Sequence, residues 1–111
     1  DRIGIKPFYY ALVGDCFLFA SEVKTLLPFL PDIETDTDGL QDYLTFQFCL
    51  GGKTLFRNVR ELMAGHSFAV SDGRIDEKRY WEVYFQPDFD HTAQYCEEKL
   101  RGLLRESVTL H

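Results

Sequence analysis

Two aromatic-rich apolar runs, Phe8-Tyr9-Tyr10-Ala11-Leu12-Val13 and Cys16-Phe17-Leu18-Phe19-Ala20, are separated only by Gly14-Asp15. So short a connection predicts a tight antiparallel hairpin, because glycine accepts the positive φ of a primed turn. Neither run alternates between apolar and polar, so both faces of the two strands are expected to be covered. A sheet covered on both faces needs more chain than one hairpin supplies. Just upstream, charged residues precede Gly4 and aromatics follow Pro7. That order predicts a polar turn leading into a buried strand, with Gly4 free to adopt a backbone that other residues resist and Pro7 fixing φ.

The remaining elements follow from spacing. Ser21 is placed to cap a short helix with Glu22 in its first turn, Val23, Leu26 and Leu27 on one face, and Pro28 limiting its length. After the loop Pro31 to Thr35, Asp36 is a second N-cap. Leu40, Tyr43 and Leu44 then recur at helical spacing to about Gln47, and Gly51-Gly52 ends the segment. Leu55 to Leu62 is expected to be an irregular connection. His66 to Val70 predicts a strand, Asp72-Gly73 a hairpin turn, and Arg74 to Trp81 a half-exposed returning strand. Gln86 to His91 breaks the pattern, as a linker does. From Thr92 to His111, Ala93, Cys96, Leu100, Leu103, Leu104 and Val108 share one helical face, with Glu97, Glu98, Lys99, Arg101 and Arg105 on the other. This amphipathic helix requires a partner for its apolar side. Strands and helices in this arrangement give an α+β fold class.

Composition narrows the function. Hydrophobic residues make up 45% and charged residues 27%, which is globular rather than disordered. Ten Phe and six Tyr demand a sheet-like core or a partner to cover them. The net charge of −6 opposes binding to a phosphate backbone, so no nucleic-acid partner is expected. No apolar run approaches the roughly 20 residues that span a bilayer, so no membrane partner is expected either. Cys16, Cys49 and Cys96 form no Cys-x-x-Cys pair and His66, His91 and His111 are scattered, which gives zinc no support. Reduced thiols in the cytoplasm are the simplest account of three widely spaced cysteines.

Four constellations invite chemistry, and each has a plainer reading. Gly51-Gly52-Lys53-Thr54 ends like a phosphate-binding loop, but that motif needs a glycine where Gln47 stands, so a solvated turn is expected. His66 and Ser67 are neighbours on a strand and point to opposite faces, so they cannot readily form a relay. The three cysteines are expected to act as small core hydrophobes rather than thiolates. Asp1 and Glu22 would form a carboxylate pair if the hairpin returned Glu22 to Asp1; salt bridges of these acids with Arg2, Lys6 or Lys24 are the favoured alternative.

The run Asp1 to Tyr10, followed by Phe19-Ala20-Ser21-Glu22-Val23-Lys24, resembles a motif pair of glutamine-dependent asparagine synthetases. The pair is Arg-Asp-Arg-x-Gly-x-Lys-Pro-Leu-Tyr-Tyr and Phe-Ala-Ser-Glu-x-Lys-Ala-Leu. Asp36 to Leu44 resembles the family's Asp-Pro-Glu-Ala-Leu-x-x-Tyr-Leu helix. Lys53 to His66 resembles its Thr-Leu-Phe-x-Gly-Ile-x-x-Leu-x-Pro-Gly-His segment, Tyr80-Trp81 its closing Tyr-Trp, and Thr92 to Val108 the helix that opens its synthetase domain. Phe8, Asn58 and Ala64 depart from the usual Leu, Gly and Pro.

The resemblance implies an internal fragment of a larger enzyme. Residues 1–84 would be the C-terminal portion of a glutaminase domain of the N-terminal nucleophile type, an antiparallel sheet sandwich with helices. Residues 85–91 would be a linker, and 92–111 the first synthetase helix. In the family a terminal Cys releases ammonia from glutamine, and a second domain uses ATP and magnesium to adenylate aspartate, with ammonia passing through a tunnel. The nucleophile, the Asn-Gly oxyanion segment and the glutamine-holding Arg and Asp lie before Asp1 in such proteins, and the Ser-Gly-Gly-x-Asp-Ser pyrophosphate loop lies after His111. By this reading the fragment holds no catalytic, cofactor-binding or metal-binding residue, carries no ATP or magnesium itself, and turns over nothing alone. Its partners would be the rest of its parent chain, with glutamine and aspartate as parent substrates, and it would self-associate through exposed apolar surface. Two alternatives stand beside it: an amidotransferase with another acceptor, and a non-catalytic interaction module on the same scaffold.

Overall fold

The computed structural model describes residues 1–110. Strands β1 (Tyr9–Val13) and β2 (Cys16–Ala20) form the expected hairpin, in register from Tyr9 opposite Ala20 to Val13 opposite Cys16. Gly14 adopts φ 56° at the turn while Asp15 does not, as in a type II′ connection. The chain then makes two single 3₁₀ turns, Val23–Thr25 and Leu27–Phe29, instead of the helix expected from Ser21. Glu22 precedes the first turn in an extended conformation and no side chain caps it. The stretch before Pro28 is too short to nucleate an α-helix, and tertiary burial of Leu26 holds the turns in place.

Helix α1 (Thr37–Phe46) begins as expected at Asp36, whose carboxylate accepts the Gly39 N–H at 2.8 Å. It ends at Gln47, which takes the left-handed φ of 66°. Strand β3 (Val59–Glu61) lies within the segment expected to be irregular, and pairs antiparallel with β1. Three residues carry too little local signal to mark a strand; pairing with a distant one makes it. Asn58, where the resembling family has Gly, enters β3 at φ 65°, a conformation Asn tolerates better than most residues. The first sheet therefore has the order β2-β1-β3.

The second sheet is the hairpin of β4 (His66–Ser71) and β5 (Arg74–Arg79). Asp72 and Gly73 both have positive φ, 50° and 70°, which is the type I′ turn expected from Asp-Gly. The returning strand stops at Arg79, two residues earlier than expected, because the amides of Tyr80 and Trp81 turn to the Gly65 carbonyl at 2.8 and 3.1 Å. Helix α2 (Ala93–Thr109) is capped by Thr92, whose hydroxyl accepts the Tyr95 N–H. The helix ends at Thr109 with Leu110 as its C-cap, and the last residue of the expected segment, His111, lies outside the described residues.

The core is small. Ala11, Leu26 and Val59 are buried, flanked by Leu18, Val23 and Phe56 on one face of the first sheet. On the other face Phe68 of β4 packs against Phe8, Tyr10 and Phe17 at ring separations of 5.5, 5.2 and 5.4 Å. This aromatic cluster joins the two sheets. Coverage of both faces is only partial, since Phe19 remains 63% exposed.

Candidate functional site

The motif at the start of the chain is organised by one carboxylate. Asp1 Oδ1 accepts the backbone N–H groups of Ile3, Gly4 and Ile5 at 3.0, 2.6 and 3.2 Å, and Oδ2 accepts that of Lys6 at 3.1 Å. Gly4 sits at φ 76°, and a Cβ there would lie 3.3 Å from that of Ala64. The Asp1 carbonyl accepts the Gly65 N–H at 2.9 Å, tying this turn to the start of β4. Asp1 and Glu22 do not form a carboxylate pair. Glu22 forms the expected ion pair with Lys24 at 2.6 Å, fully at the surface, while Asp1 takes backbone amides rather than a basic side chain. The conspicuous motif is a folding device at this end of the molecule.

Gly51-Gly52-Lys53-Thr54 is equally occupied with structure. Lys53 Nζ lies 2.5 Å from Asp42 Oδ2, which also accepts the Leu50 N–H at 2.9 Å. The Lys53 hydrogen bond, followed by that of Leu50, holds the Asp42 carboxyl below the usual carboxylate range. The same bond raises the Lys53 ammonium above its ordinary value. The Gly52 carbonyl accepts the Glu61 N–H at 2.8 Å. Thr54 is 6% exposed, and its hydroxyl meets the carbonyls of Phe56 and Val59 at 3.0 and 2.9 Å and the N–H of Phe56 at 3.1 Å. A lysine already paired and a hydroxyl already bonded do not fit the phosphates of ATP. It is a turn, more buried than the solvated one expected.

His66 and Ser67 face different partners, opposite Arg79 and Lys78 in the ladder, and the Ala64 carbonyl lies 2.9 Å from His66 Nδ1. The cysteines separate into two kinds. Cys49 is half-buried with Sγ 3.4 Å from the Gly39 carbonyl, as a small core residue would be. Cys16 and Cys96 are exposed, against expectation. Cys16 opens β2 at the hairpin turn, and Cys96 lies on a helix whose residues are all exposed. Among the described residues no three His, Cys, Asp or Glu side chains gather as metal ligands would, and no helix is long and apolar enough to cross a membrane.

The arrangement with most chemical content was not expected from the sequence. A cavity of about 430 Å³ lies between α1, the loop that follows it and β3, and its wall includes Tyr9, Tyr43, Cys49, Lys53 and Glu61. Tyr9 and Glu61 are directly opposite each other across the β1–β3 ladder, so both side chains leave the same face. Burial pushes the Glu61 carboxyl up. Burial first, and then the Glu61 charge, pushes up the Tyr9 phenol. Burial, followed by the Asp42 charge, raises the Cys49 thiol. Nothing local in the sequence marks this arrangement, because β3 is set by its pairing with β1, which brings Val59 and Glu61 to one face.

Comparison with known proteins adds the wider setting. A family model for a glutamine amidotransferase domain matches residues 1–81. The chain is 38% identical over 116 residues to asparagine synthetase (glutamine-hydrolyzing) 1 of Bacillus subtilis, in an alignment covering 100% of this chain and 18% of the relative. It is 34% identical over 119 residues to asparagine synthetase (glutamine-hydrolyzing) 3 of the same organism, covering 98% and 18%. It is 30% identical over 105 residues to the amidase chyE of Penicillium rubens, covering 93% and 15%. The chain thus spans less than a fifth of the length of the curated relatives it matches.

Proposed function

The chain belongs to the glutamine amidotransferase domain family, and we propose that its parent is a glutamine-hydrolysing asparagine synthetase. The observation that carries this reading is the likeness to asparagine synthetase 1 of Bacillus subtilis, which covers the whole chain and so continues past residue 81 through α2. An amidotransferase domain followed by further matching chain is what a two-domain ligase requires. In this proposal residues 1–84 complete a glutaminase domain of the N-terminal nucleophile fold, 85–91 link it, and 92–111 open the synthetase domain. The parent releases ammonia from glutamine and uses ATP with magnesium to amidate aspartate, in the cytoplasm. This segment supplies scaffold to both halves and reacting groups to neither.

The test is the coding sequence on either side. A Met-Cys-Gly start upstream and a Ser-Gly-Gly-x-Asp-Ser segment downstream are expected. Absence of the first removes the glutaminase, and absence of the second removes the adenylating half; either result overturns the proposal. A second reading, an amidotransferase acting on another acceptor, is favoured by the likeness to the fungal amidase. It predicts the same two segments but no asparagine among the products.

A further inference from the structure

The cavity beside β3 has a charge pattern that none of the activity proposed above uses. Three carboxylates, Asp36, Asp42 and Glu61, and one ammonium, Lys53, act on Cys49, and of these only Glu61 and Lys53 line the cavity itself. Two of the three are taken. Asp36 caps α1 through the Gly39 N–H, and Asp42 holds Lys53. Glu61 forms no ion pair or side-chain hydrogen bond among the described residues. A half-buried carboxylate without a partner is costly, and a bound cation removes that cost.

The rest of the wall suits the hydrocarbon part of such a cation. Tyr9, Tyr43 and Phe48 line the cavity together with Glu61. An aromatic face attracts an ammonium group electrostatically and buries its alkyl chain at the same time. About 430 Å³ is within the range of small-molecule pockets and large for any inorganic ion. A free acid would meet the Glu61 carboxylate while the one ammonium in the wall, Lys53, is already paired with Asp42, and a neutral alcohol would leave the Glu61 charge uncompensated.

We propose that the cavity between α1 and β3 is a binding site for a small primary amine in its ammonium form, held by Glu61 and seated against Tyr9, Tyr43 and Phe48. The ammonium group donates to the Glu61 carboxylate and the short alkyl chain lies along the rings. No bond is made or broken. The proposal goes beyond the glutaminase and synthetase reading and does not rest on it.

The test uses the full-length protein with n-butylammonium chloride as probe, followed by calorimetry and ligand-detected NMR at pH 7, with n-butanol as the neutral analogue. Saturable n-butylammonium binding is expected, with affinity about tenfold lower in Glu61→Gln, the loss of one charge-assisted contact. Tyr43→Ala, at a half-exposed position on α1, keeps the carboxylate and removes a ring, and is expected to weaken binding several-fold. Absence of saturable binding, equal binding by wild type and both variants, or equal binding of n-butanol would overturn the proposal.

Discussion

At the scale of single residues, stability rests on polar atoms and glycines that a hydrophobic pattern does not reveal. Gly39 illustrates the point. In an exposed helix, Gly→Ala stabilises by about 1 kcal/mol. Here a Cβ would run into the Thr54 carbonyl, which is backbone and cannot swing away. Overpacking of this kind costs about 1–3 kcal/mol, so the sign reverses and Gly39→Ala is expected to lower the unfolding midpoint of the full-length protein. A raised midpoint would show that α1 can slide off the loop. Thr54→Val keeps the volume but leaves the Phe56 N–H and the Val59 carbonyl without the hydroxyl they face. It is expected to destabilise by about 1–3 kcal/mol, measured by urea unfolding, whereas an unchanged midpoint would mean that water replaces the hydroxyl. Asp36 as a cap was legible from its type and its place before a periodic run. Thr54 was not, because its partners come from a strand with no sequence signature of its own.

At the scale of elements, α1 is latched to the following loop by charge, and β4–β5 is docked to the first sheet by rings. The latch makes stability depend on pH in opposite senses. Asp42 has a lowered folded value, so its contribution is complete above the unfolded Asp value of about 3.9 and is lost as pH falls through the folded one. Lys53 has a raised folded value, so its contribution is complete below about 10.4 and is lost as pH rises through the folded one. Glu61 acts in reverse, because a carboxyl raised by burial costs stability once ionised. Glu61→Gln is therefore expected to raise the thermal midpoint at pH 7 and leave it unchanged at about pH 3, below the ordinary carboxylate values. A lowered midpoint at pH 7 would mean that ionised Glu61 is already stabilised by a partner. Phe68→Ala removes three aromatic contacts between the sheets and is expected to cost about 2–4 kcal/mol, with faster amide exchange across β4–β5. If exchange there is unchanged, the hairpin is held by something other than the rings. Both hairpins were legible because Gly14-Asp15 and Asp72-Gly73 are local turn signals. Strand β3 and the 3₁₀ turns were not, because distant pairing and the burial of Leu26 decide them.

At the scale of the whole molecule, the chain exposes far more than a self-sufficient domain of its size. Its accessible surface is 9433 Å², against roughly 6,300 Å² for a compact monomer of this mass. Its radius of gyration is 19.1 Å, against roughly 13 Å for a compact chain of 111 residues. Leu100, Leu103 and Leu104 on α2 are each more than half exposed. Such surface, together with the free edge of β2, is expected to make the isolated 111-residue chain self-associate; a monomer by light scattering at high concentration would contradict this. The alternating and helical patterns predicted which faces are apolar. They carried no information about what would cover them.

We propose that this segment is scaffold in an enzyme that moves the amide nitrogen of glutamine to aspartate. The most direct measurement gives the purified full-length protein amide-¹⁵N glutamine, aspartate, ATP and magnesium, and follows the label. Labelled asparagine from the full-length protein, with no label released by the 111-residue chain alone, is the predicted result. Label that never reaches asparagine, or ammonia released by the short chain, would contradict this proposal.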